Sequence, residues 1–218
     1  PRRTSALHLP GSRHAERYGI RAEFPSGRMR GIDRKTEFED PRMIRNFQAK
    51  LPTLAEDCWV DPTAVVIGDV VLEEGVSIWP NAVLRGDVQQ IRAGRLTNLQ
   101  DGVIVHVNQP SASHPQGMPC RIGEEVTVGH RAILHACTVG NRVLVGMGAI
   151  VMDDVVVEDE VIIAAGSVVS PGKVLESGHL YVGAPARKIR PLSDEEREHL
   201  AESARFYREL AQDHRSSE

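Results

Sequence analysis

Three histidines, His106, His130 and His135, are the residues of this 218-residue chain whose type and spacing could do chemistry. Neutral imidazoles bind a divalent ion at ~2.0–2.1 Å, and a three-histidine set leaves the fourth position of zinc open to water. That is the pattern of a catalytic rather than a structural centre. A lone histidine on a polar edge is usually just solvated, so what matters is whether the fold brings these three into register. The bland alternative is a hydrogen-bonded histidine network at a subunit interface.

A strict repeat must position them. From Val60 the sequence divides into sixes: VDPTAV, VIGDVV, LEEGVS, IWPNAV and LRGDVQ. Each begins with Val, Leu or Ile and has Ala or Val fifth. After an insert at Gln90–Arg92, AGRLTN and LQDGVI resume the frame. A long loop follows Val107. Then IGEEVT, VGHRAI, the one-residue-short LHACT, VGNRVL, VGMGAI, VMDDVV, VEDEVI and IAAGSV run to Val168. Six residues make a short strand and its corner, and three units close a triangular coil. The fold expected is therefore a single-stranded left-handed parallel β-helix. Each first-position aliphatic stacks on its counterpart one coil away, at the ~4.8 Å strand spacing. Gly68, Gly75, Gly123, Gly140 and Gly166 are expected at corners that need positive φ. A β-sandwich of short strands would not keep six-residue spacing so strictly.

The coil count assigns faces. With faces A, B and C taken in order from Val60, and the loop at 108–121 consuming none, His106 and His135 are second residues of successive B units. Arg85 holds the same position one coil earlier. His130 is third in an A unit, with Asp101 one coil before it and Gln100 adjoining. One subunit therefore cannot close a three-histidine site. A three-fold ring could, face B of one chain meeting face A of the next, because heterologous contacts of this kind can close into rings. The short unit LHACT falls at His135, where a functional constraint overriding local regularity is expected.

Composition narrows the function classes. Net charge is −4, so no nucleic-acid footprint is expected. No apolar run reaches the ~20 residues of a membrane helix. Cys58, Cys120 and Cys137 match no disulfide framework and point to a reducing, cytoplasmic compartment. Residues 1–42 carry ten Lys/Arg against six Asp/Glu and no sustained period. They read as an extension upstream of a start at Met43; a native basic arm is the alternative. A transit peptide would not carry so many acids. The β-helix domain is expected over 43–191. In 192–218, Ser193 and Glu196 form a capping-box pattern, and Leu200, Ala204, Tyr207 and Ala211 share one helical face.

Four strings, VIGDVVLEEGVSIWPNAVLRGDV, TNLQDGVIVHV, VTVGHRAILHACTVGNRVLVGMGAIVMD and LYVGAPARKIR, together resemble the γ-class carbonic anhydrases and their bacterial homologues over roughly residues 57–190. The resemblance implies a homotrimer with interfacial zinc, iron or cobalt, and reversible hydration of carbon dioxide to bicarbonate. His106, His130 and His135 match the family's metal ligands. Arg85 and Asp87 match its Arg-Gly/Ser-Asp pair, and Asn98, Gln100 and Asp101 its Asn-x-Gln-Asp string. In the family this group orients solvent or bicarbonate and ties subunits together. Here Gln100 is expected to orient the nucleophile, and Asp101 to pair with Arg85 of the adjoining subunit. The loop NQPSASHPQGMPC departs from the family in carrying no acid, and Val88 stands where the best-studied members have a glutamate. Slow proton export follows, with His114 as a substitute carrier. Tyr181 is read as structural, and Cys120 with Cys137 as a redox-sensitive pair. Two other readings stay open: a metal-binding or assembly protein with little hydratase activity, and a hexapeptide-repeat acyltransferase.

Overall fold

A computed structural model describes residues 43–217; the N-terminal extension at 1–42 lies outside the described residues. The chain winds as a left-handed parallel β-helix with a C-terminal helix. Its core is three columns of inward side chains. On face A, Val60, Ile78, Leu99, Val128, Val145, Ile163 and Tyr181 are successive register partners. Face B stacks Val66, Leu84, Val105, Leu134, Val151 and Val169. Face C stacks Leu72, Ala93, Ile122, Val139, Val157 and Leu175. Nearly all are buried, as a period-six chain requires when it can hide only one short aliphatic per strand. The repeat thus runs past Val168, through Val169 and Leu175 to Tyr181. Face A forms an eight-stranded sheet. Faces B and C merge into one twelve-stranded sheet, because Val65–Leu72 and Val83–Ala93 run around the corner between them. Short strands at Ile44–Arg45 and Thr53–Leu54 pair with Val65–Leu72 at one end. An antiparallel hairpin, His179–Gly183 with Ala186–Pro191, closes the other.

Two sequence expectations change. The insert is Val88–Gln90, not Gln90–Arg92. Gly86 still faces Gly68, but Val70 faces Ile91, so the three residues between Asp87 and Ile91 bulge out. Burial explains the shift: Ile91 is 0% exposed and fills the core, while Val88 is 40% exposed. The corner glycines also divide. Gly68, Gly75 and Gly166 have positive φ, but Gly123 and Gly140 do not. Gly68 is the third residue of its unit; from Gly75 on, the left-handed turn recurs at the fourth position whatever its residue, as at Asn81, Leu96, Glu125, Arg131, Arg142, Asp154 and Glu160. Gly123 and Gly140 answer a different need, close approach between coils. A Cβ on Gly123 would lie 2.5 Å from the Gly140 carbonyl oxygen, and one on Gly140 would lie 2.9 Å from the Asp159 nitrogen.

The helix spans Asp194–Ser217 and packs on face A of its own chain. The capping box forms: Ser193 N–H donates to Glu196 Oε2 at 2.9 Å and Glu196 N–H to Ser193 Oγ at 3.2 Å. Leu200, Ala204 and Ala211 are buried, and the edge of Trp79 meets Tyr207 at 5.4 Å between ring centroids. No helix among the described residues is long and apolar enough to cross a membrane.

The Arg190 guanidinium, and then the cap, hold the Glu196 carboxyl down to about 2 from 4.5. A depressed carboxylate pKa contributes stability above its ordinary range, lost as pH falls toward the folded value. The helix is expected to loosen progressively from about pH 4.5 to about pH 2 in circular dichroism melts. Glu196→Gln should flatten that pH dependence.

Candidate metal centre

Three face-B strands, Val83–Ala93, Ile104–His106 and Ile133–His135, lie side by side with Arg85, His106 and His135 in one register. Because Leu84, Val105 and Leu134 point inward, the next residue on each strand must point out. The two imidazoles tilt toward each other, His106 Nδ1 lying 3.1 Å from His135 Nε2. Each ring's other nitrogen meets a carboxylate. His106 Nε2 is 3.2 Å from Asp87 Oδ1, and His135 Nδ1 contacts Asp153 Oδ1. A carboxylate only accepts, so these contacts assign the ring protons to the outer nitrogens. Two lone pairs then face each other across 3.1 Å, which is repulsive unless a cation lies against both. Two bonds of ~2.0–2.1 Å at a tetrahedral angle put ligand nitrogens about 3.3 Å apart, so the donor set fits a zinc-like ion.

The electrostatics agree. Burial, helped by Arg85, keeps the His106 pKa below that of a free histidine against the pull of Asp87. A ligand must be neutral, so this favours binding. Burial alone would raise Asp87, but hydrogen bonds from Arg85 and His106 more than reverse it and hold its carboxyl low.

His130 stands on face A. Its N–H donates to Gln100 Oε1 at 3.2 Å, and its Nδ1 lies 2.8 Å from Asp101 Oδ2, which leaves Nε2 free to bind. Among the described residues of one chain, no three His, Cys, Asp or Glu side chains converge to hold an ion. The structure brings His106 and His135 together and holds His130 apart from them. Within the chain Arg85 pairs with Asp87, and Asp101 with His130, so an Arg85–Asp101 pair between subunits would form beside these contacts.

Behind His130 runs a buried polar ladder. Gln100 Nε2 donates to Asn98 Oδ1 at 3.2 Å, Asn98 Nδ2 to Thr127 Oγ1 at 2.9 Å, and Thr127 Oγ1 meets Ser203 Oγ of the helix at 2.9 Å. Gln100 thus positions the His130 backbone. It also faces the Tyr207 hydroxyl, whose pKa is pushed up by burial and then by Asp101. Gln100, His130 and Tyr207 share a mostly apolar cleft of about 600 Å³ with Met147, Ala164 and Phe206. Tyr207 reads from the sequence only as a packing residue; its helical phase is legible there, but not its neighbour. Asp153 and Asn108 are not legible there at all. His114 lines a second cleft of about 550 Å³, of mixed lining, beside Asp153 and Asn108. Cys120 and Cys137 are buried with their sulfurs 3.9 Å apart. The Tyr181 hydroxyl accepts the Glu176 N–H at 2.7 Å, a structural contact.

Residues 52–86 and 136–171 match the family described as bacterial transferase hexapeptide (six repeats). Protein YrdA of Escherichia coli K12 is 52% identical over 165 residues, covering 76% of this chain and 90% of that protein. The mitochondrial gamma carbonic anhydrase 2 of Arabidopsis thaliana is 45% identical over 175 residues, covering 80% of this chain and 63% of that protein. The crystal structure of a hexapeptide transferase family protein from Anaplasma phagocytophilum matches with a TM-score of 0.73 at 39% identity, covering 79% of this chain and 98% of that one.

The ladder carries a stability prediction. Thr127→Val removes the nearer of two acceptors of the buried Asn98 amide, the other being the Val126 carbonyl at 3.5 Å, and is expected to cost about 1 kcal/mol in urea unfolding. Ser203→Ala, at the ladder's helix end, is expected to cost less.

Proposed function

This chain belongs to the γ-class carbonic anhydrase family of hexapeptide-repeat proteins, and on that premise we propose that it hydrates carbon dioxide reversibly at metal sites shared between subunits of a homotrimer. One observation supports this reading above the rest. Each of the three histidines has one ring nitrogen against a carboxylate, Asp87, Asp153 or Asp101, and so presents the other unprotonated. His106 and His135 come from face B of one subunit, and His130 from face A of the next. His106, His135 and the next subunit's His130 would hold a zinc, iron or cobalt ion, which would supply Lewis acidity there.

The chain's own groups do the rest. Asp87, Asp101 and Asp153 keep ring protons off the ligating nitrogens. Arg85 neutralises Asp87 and keeps further N–H donors near the pair, suited to a bicarbonate oxygen. The spare hydrogen-bonding capacity of Gln100 faces the Tyr207 hydroxyl and orients the nucleophile, while Asn98 fixes the Gln100 amide. The apolar cleft beside them suits an uncharged gas. The three buried, unpaired thiols support a reducing compartment, and we place the protein in the cytoplasm.

The second reading, a metal protein with little hydratase activity, draws on the acid-free loop at 108–120. It differs in rate only. If proton export limits turnover, stopped-flow hydration rates should climb steeply with imidazole buffer concentration.

Anaerobic purification with metal analysis, followed by stopped-flow carbon dioxide hydration, tests the proposal. One ion per subunit, a trimer by light scattering and measurable hydration are expected. His135→Ala should lose metal and activity together, and a variant with stoichiometric metal would sink the ligand assignment. Shared sites predict complementation. His130→Ala and His135→Ala are each inactive alone, but random mixed trimers regain about a quarter of the sites. No recovery in verified mixed trimers would place the three ligands in one chain.

A further inference from the structure

We propose that Asp153 is the positioning residue of His135 and that Asn108 braces it, so that a metal ligand and the neck of the 108–119 loop form one hydrogen-bonded unit. This rests on the metal-site reading above and deepens it.

Asp153 is the third residue of VMDDVV, one coil beyond His135. Its two carboxylate oxygens have separate tasks. Oδ1 accepts the His135 Nδ1 proton, and Oδ2 accepts from Asn108 Nδ2 at 2.7 Å. Neither partner is free to wander. Asn108 exchanges both backbone hydrogen bonds with Met118, at 2.9 and 3.0 Å, and these close the loop's neck. The next residue, Asp154, turns the corner at φ 59° and donates its N–H to the Ala136 carbonyl at 3.0 Å. That bond fixes the backbone from which the Asp153 side chain rises toward His135. The shortened unit LHACT turns its own corner at Ala136, φ 47°.

The consequence is a choice of tautomer. With Nδ1–H committed to Asp153, the lone pair of His135 is on Nε2, the atom that faces His106 Nδ1 at 3.1 Å. Without the carboxylate, imidazole is free to carry its proton on Nε2, and that form cannot ligate from there. An amide at position 153 is worse than neutral: with its oxygen held by Asn108 Nδ2, its NH2 group faces Nδ1 and selects the wrong form. Partners of this kind typically govern metal affinity by about 10–100-fold.

The test uses the full chain and zinc. In Asp153→Asn, zinc affinity measured by competition with a chromophoric chelator is expected to fall about 10–100-fold. Asn108→Ala should lose less, in the same direction, and Asp153→Glu, which keeps the carboxylate, should recover part of the affinity. Asp213→Asn, an exposed carboxylate on the C-terminal helix, should leave it unchanged. A second readout needs no metal. Nitrogen-15 spectra of histidine-labelled, metal-stripped protein at about pH 8, above the usual histidine range, report which ring nitrogen carries the proton. His135 should be Nδ1-protonated in the parent and lose that state in Asp153→Asn, while His106 keeps its own. An Asp153→Asn protein with parental zinc affinity and an Nδ1-protonated His135 overturns the proposal. If the parent itself binds no zinc, the metal reading fails, and the His135 tautomer alone decides the role of Asp153.

Discussion

Every feature of this molecule depends on the in-register stacking of inward aliphatics at strand spacing. Leu84, Val105 and Leu134 can fill the core of face B only if their strands align residue for residue. Once they do, Arg85, His106 and His135 must follow one another on the outside. A shift by one residue would send the histidines into the core and expose the leucines. The apolar column is therefore what holds two imidazole nitrogens 3.1 Å apart without either ring having to fold back from a flexible loop.

The departures from the repeat are concentrated where that order serves the site. In three successive coils, the corner between faces B and C is irregular. The first carries the Val88–Gln90 bulge, the second the 108–119 excursion, and the third is one residue short at LHACT. The next coil is regular again and contributes Asp153. From Gly75 onward, the other corners mostly keep a left-handed fourth residue with little regard to its identity. Irregularity confined to one corner, beside the histidine pair, is what a functional constraint on an otherwise strict lattice looks like.

Charge is arranged around the histidines in a consistent way. Asp87, Asp101 and Asp153 each take one ring nitrogen, and Arg85 in turn takes Asp87. Face A adds neutral polar groups that run from the helix through Thr127, Asn98 and Gln100 to the His130 backbone. Among the described residues, no buried side-chain polar atom is left without a partner, so this buried network does not weaken the fold.

The sequence by itself determined the β-helix, the face of each unit, the pairing of His106 with His135, the separation of His130 and the capped helix. A six-residue period is a local property that repeats, so counting along the chain is enough to place any residue that obeys it. Tertiary structure alone decided what happens where the count breaks. It moved the insert to Val88–Gln90, because Ile91 and not Val88 is the better core residue. It gave Gly123 and Gly140 a packing role, because the clash lies between coils rather than within a turn. It turned Gln100 toward the His130 backbone, and it brought Asn108 onto Asp153, 45 residues away, whose other oxygen meets His135. Side-chain partners at a corner depend on how two coils and a loop meet, and no period along the chain encodes that.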